Sequence, residues 1–66
     1  MKYTVELRNE ESVEISKEFE EYNNAYDYSD KLIPKLKKNH QILIIENKKN
    51  ERIVIRKLEI ENKKSI

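Results

Sequence analysis

Residues 3–17 read Tyr-Thr-Val-Glu-Leu-Arg-Asn-Glu-Glu-Ser-Val-Glu-Ile-Ser-Lys. Tyr3, Val5 and Leu7 alternate with Thr4, Glu6 and Arg8, and Val13 and Ile15 alternate with Glu14 and Ser16. Such period-two patterning marks half-buried strands, because successive side chains of a strand point to opposite faces. Between the two runs lies Asn9-Glu10-Glu11-Ser12, a polar turn headed by the residue type that best tolerates a left-handed backbone when glycine is absent. The stretch is therefore a β-hairpin over residues 3–17, with Val13 and Ile15 expected inward alongside Tyr3, Val5 and Leu7.

Beyond it the period changes. Phe19, Tyr22, Tyr26, Ser29, Ile33 and Leu36 recur at intervals of three and four, with Ala25 and Leu32 on the flank. This predicts one helical stripe. The helix starts near Phe19, or near residue 25 if Asn24 caps it with Asp27 in the first turn, and runs to about residue 38. Pro34 opposes that reading, since it lacks an N–H and presses on the preceding turn; a kink or break near residues 30–34 is expected.

Gln41–Glu46 and Arg52–Ile60 form a second predicted hairpin, joined by Asn47-Lys48-Lys49-Asn50-Glu51. The order ββαββ predicts an α+β fold: a four-stranded antiparallel sheet with one helix on one face, in a single domain with a basic tail at 61–66. Leu58 and Ile60 share parity with Val54 rather than with Ile53 and Ile55, so an extra residue is expected near Arg56-Lys57 to exchange the faces.

The whole chain has 66 residues, 14 Lys and Arg against 13 Asp and Glu, and neither glycine nor cysteine. At this size only about 60% of the unfolded surface can be buried. Without glycine there is no P-loop, dinucleotide fingerprint or glycine nest. Without cysteine there is no disulfide framework, thiolate zinc site or cysteine nucleophile. Ile, Leu, Val and Phe make up 27% of the chain. That exceeds the roughly 20% below which chains stay disordered. The longest aliphatic run, Ile42 to Ile45, is far too short for a signal-peptide core or a membrane span. A cytoplasmic protein is expected.

His40 is the one histidine and lies at a helix–strand junction; no serine has a nucleophile-elbow context and no ligand spacing suggests a metal. The expectation is a protein without enzymatic activity, metal or cofactor.

Two features point to binding. First, Ile42–Ile45 and Ile53–Ile55 are apolar on both faces, and one helix covers only one face. Leu43, Ile45, Ile53 and Ile55 are therefore the expected protein-binding residues, for a partner protein or for a second copy; the competing reading is that the C-terminal segment folds back over them. Each aliphatic side chain would contribute about 1.5–3 kcal/mol if fully buried. Second, residues 1–30 carry 3 basic and 9 acidic side chains, whereas residues 31–66 carry 11 and 4. Within the basic half, Tyr28, Lys31, Lys35 and Lys38 are spaced as one helical strip, the alternative nucleic-acid-binding set. An ordinary solvated face is the simpler explanation, with Asp27 and Lys31 a favourable pair. The acidic half could instead present carboxylates to a basic cleft. Lys, Glu, Ile and Asn make up 38 residues, the bias of AT-rich codons. Size and bias together suit a phage or mobile-element regulator or inhibitor of a host protein.

Overall fold

The computed structural model describes residues 2–60. The predicted basic tail, with Lys63 and Lys64, and the segment expected to fold back lie outside the described residues.

Strands β1 (Tyr3–Arg8) and β2 (Val13–Phe19) form the first hairpin. Its turn is held by Asn9, whose Oδ1 accepts the backbone N–H groups of Glu11 and Ser12 at 2.7 and 2.8 Å. The side chain thus supplies the turn's acceptor, as Asn does in an Asx-turn. Leu7 pairs with Ile15 but Arg8 pairs with Val13, so Glu14 is an extra residue in β2. That insertion corrects the expectation for Val13: it shares the face of Arg8, opposite to that of Ile15.

Helix α1 spans Tyr22–Lys31, shorter than predicted, with Glu21 rather than Asn24 at its N-cap. A 3₁₀ turn follows at Ile33–Lys35, containing Pro34. Pro34 cannot donate to the carbonyl of Asp30, so the α-helical ladder stops there instead of reaching residue 38. The buried stripe is also rotated by one residue from the predicted one. Ala25, Ser29 and Leu32 are buried, while Tyr22, Tyr26 and Ile33 are exposed. Ala25 brings the helix close to the sheet, and the tyrosines sit at the flank where their hydroxyls reach water.

Strands β3 (Gln41–Lys48) and β4 (Glu51–Glu59) make the second hairpin. Its turn is shorter than predicted, Lys49-Asn50, with Asn50 at φ 72°. Asn39, at φ 71°, turns the chain ahead of β3. All neighbouring strands are antiparallel, in the order β2-β1-β3-β4. The expected α+β, ββαββ arrangement is the one observed. None of the described helices is long and apolar enough to cross a membrane.

The extra residue of β4 is Ile55, just ahead of the expected position: Ile45 pairs with Val54 and Ile44 with Arg56. The switch carries Leu58 onto the helix side, against the core of Val5, Leu7, Ala25, Leu32, Ile42 and Ile44. The other side of the sheet bears no helix, yet its centre is dry. Leu43 and Ile45 are only 6% and 4% exposed, and Thr4 and Glu6 are buried beside them. A polar roof lies there. Arg52 Nη2 donates to Glu6 Oε2 at 3.2 Å from the far side of β3, and Asn47 Nδ2 donates to Thr4 Oγ1 at 2.8 Å. The long arginine stem covers apolar surface while its head stays charged.

Candidate interaction surface

The structure does not bring Leu43, Ile45, Ile53 and Ile55 together as one open patch. Leu43 and Ile45 are buried beneath the roof just described. Ile53 pairs with Glu46, which pairs with Tyr3, so it lies on the helix side and is half-buried. Ile55 is the inserted residue and is 39% exposed. The apolar residue of β4 that reaches solvent on the open side is Val54, 51% exposed opposite buried Ile45. A parity argument cannot find it without the position of the insertion.

Strand β4 is an edge of the sheet, paired only with β3 among the described residues. Three features converge on it. Its outer row of backbone groups has no partner strand there. Val54 and Ile55 are exposed at the bulge. Its inner side is stiffened by Arg56, whose Nη1 donates to Ser29 Oγ at 2.7 Å and Asp30 Oδ1 at 3.0 Å. The same guanidinium sits 3.8 Å from the Tyr26 ring centroid, and Tyr26, Tyr22 and Tyr3 continue as a row with centroids 5.9 and 5.7 Å apart. Arginine and tyrosine in a fixed arrangement are what dominant contact residues in protein interfaces look like.

The alternative strip is dispersed. Tyr28 packs against Phe19, with ring centroids 5.4 Å apart, and carries the Lys17 ammonium at 5.1 Å. Its ring is therefore engaged internally. Lys31 ends α1, Lys35 ends the 3₁₀ turn and Lys38 lies in the following loop; all three are exposed, but no single helix aligns them. By register Tyr3 and Phe19 are on the helix side of the sheet, where Tyr22, Tyr26 and Tyr28 also lie, so the open face has no ring on which a base could stack.

The two charge halves meet across the fold. Glu6 pairs with Arg52 and Asp30 with Arg56, and Glu14 is hydrogen-bonded to His40 Nε2 at 2.7 Å. In the last of these, the imidazole and the Asn9 amide hold the Glu14 carboxyl below its ordinary pKa. His40 also lines a shallow cleft of about 320 Å³ with Arg8, Asn9, Lys38 and Glu59, a wall of mixed sign. No group of three His, Cys, Asp or Glu residues converges to hold a metal among the described residues. Compared with protein-family models, curated proteins and solved structures, the chain matches none.

Proposed function

We propose that this chain is a small interaction protein without enzymatic activity, which binds a host protein or a second copy of itself through the β4 edge. One observation carries the reading: at the Ile55 bulge two adjacent aliphatic residues, Val54 and Ile55, stand exposed on a strand whose outer side has no partner among the described residues. Val13, Ile33 and Ile60 are exposed too, but each stands alone, whereas Val54 and Ile55 are adjacent. Exposed apolar surface on an unpaired strand edge is the surface that proteins use to take a partner. A regulator or inhibitor of a host protein, encoded by a phage or mobile element and acting in the cytoplasm, is the biological setting that the length and codon-like bias suit best.

The test is a comparison of immobilised wild type with Ile55→Asp, the fold of both verified by circular dichroism. A partner retained by the wild type and lost by the variant is expected; a partner held equally by both overturns the reading. The runner-up is nucleic-acid binding through the exposed Lys31, Lys35 and Lys38. It predicts DNA or RNA affinity that falls steeply with salt and weakens in Lys35→Glu. Ile55→Asp would leave that affinity unchanged.

A further inference from the structure

We infer that the occupant of the β4 edge is the β2 edge of a second copy of the chain, in a head-to-tail contact. This rests on reading β4 as the contact surface, and it goes further by naming the partner.

The argument begins with direction. Because every neighbouring pair is antiparallel, β1 and β4 run one way and β2 and β3 the other. A second copy placed beside β4, with its helix on the same side, therefore presents β2 in antiparallel order. The sheet can continue from one copy to the next without turning either over.

Faces and charges then select a register. By their pairing with β1 and β3, Val13, Ser16, Arg52 and Val54 belong to the open face, and Ile15, Lys17, Glu51 and Ile53 to the helix face. Setting Val54 opposite the second copy's Val13 joins two valines that the single chain leaves 51% and 44% exposed. Skipping the inserted Glu14, the same register puts Ile53 opposite Ile15, Arg52 opposite Ser16 and Glu51 opposite Lys17. Arg52 is then diagonal to Glu18. Every residue meets one of its own face, opposite charges meet, and no like charges are opposed. Cross-strand pairs of this kind are the unit of sheet stabilisation.

A contact between two identical β4 strands that joins their two Val54 side chains does worse. Skipping the inserted Ile55, pairing that preserves the faces then sets Arg52 against Lys57. Like charges directly opposed are destabilising. The bulge at Ile55 ends the paired run beside Val54 and keeps the contact short, so the association is weak and concentration-dependent. A heterologous contact of this form extends into rings or open filaments rather than stopping at two copies.

Sedimentation equilibrium up to about 1 mM tests this, since weak self-association at that strength is still resolved. The mass-average of the wild type should rise above 8.0 kDa with concentration and pass beyond the dimer. Val13→Asp and Val54→Asp, each folded by circular dichroism, should both remain monomeric alone. An equimolar mixture of the two should form a dimer and no larger species, because only one of its two possible contacts lacks an aspartate. A wild type that stays monomeric, a wild type that saturates as a dimer, or a Val13→Asp variant that associates like the wild type overturns the inference. A monomeric wild type would leave the broader β4 reading to stand or fall by the Ile55→Asp comparison, which concerns a different protein.

Discussion

The two edges of the sheet solve the same problem differently. Each edge strand carries one inserted residue, Glu14 in β2 and Ile55 in β4. At β2 the insertion is a carboxylate tied to the Asn9 amide and the His40 imidazole, both at heavy-atom distances of 2.7–2.8 Å. At β4 it is an isoleucine with an exposed valine before it. A bulge twists an edge and re-aims side chains. Where the re-aimed residue is polar and tethered, local chemistry occupies the bulge, and the exposed aliphatic residue left on that edge is Val13. Where it is aliphatic, the same device presents apolar surface, and protection of the edge turns into recognition.

The contrast is sharpest between neighbours on the open face. Ile45→Asp buries a carboxylate beneath the Arg52–Glu6 roof and should cost more than about 3 kcal/mol, enough to unfold much of a domain this small. Val54→Asp, directly opposite on β4, should cost less than about 1 kcal/mol because its site is half in water. Urea titration of the two variants measures both. Equal losses would erase the distinction between a dry centre and an available edge.

Next in size is Arg56→Ala. It removes two hydrogen bonds and the stacking on Tyr26, and should cost about 1–2 kcal/mol in the same titration. It should also weaken any contact made through β4 by loosening the strand's inner side. Ile55→Thr should be smaller still, within about 0.5 kcal/mol of wild type, since it replaces an exposed side chain with another β-branched one. A larger loss would mean that the insertion is held in place by packing.

The smallest effect tests the β2 edge through pH. The folded state lowers the Glu14 pKa, so the pair's contribution is fully present above the unfolded carboxyl value and is lost as pH falls through the folded one. The difference in Tm between wild type and Glu14→Gln should therefore be positive near neutral pH and vanish in acid. A difference that persists unchanged into acid would show that the carboxylate has no such role.

Much of the fold is legible in the residues themselves. Alternation marks both hairpins, and Pro34 marks where the α-helix cannot continue. The site is harder to read because it depends on single-residue insertions. Val13 and Ile15 look equivalent by parity, yet Glu14 between them sends them to opposite faces. Leu43 and Ile45 look exposed until Arg52 is seen reaching over β3 to Glu6, a partner 46 positions away. The opposed charge halves, read as rival binding surfaces, turn out to meet in Glu6–Arg52 and Asp30–Arg56. Such long-range pairs leave no periodic trace in a sequence.

Amide chemical shifts followed as the wild-type protein is concentrated test the central claim most directly, that the β4 edge of one copy meets the β2 edge of another. The account predicts changes gathered on Glu51–Ile55 and on Val13–Lys17, with the remaining amides still. Changes gathered instead around Tyr28, Lys31, Lys35 and Lys38, or shifts that never move, would contradict it.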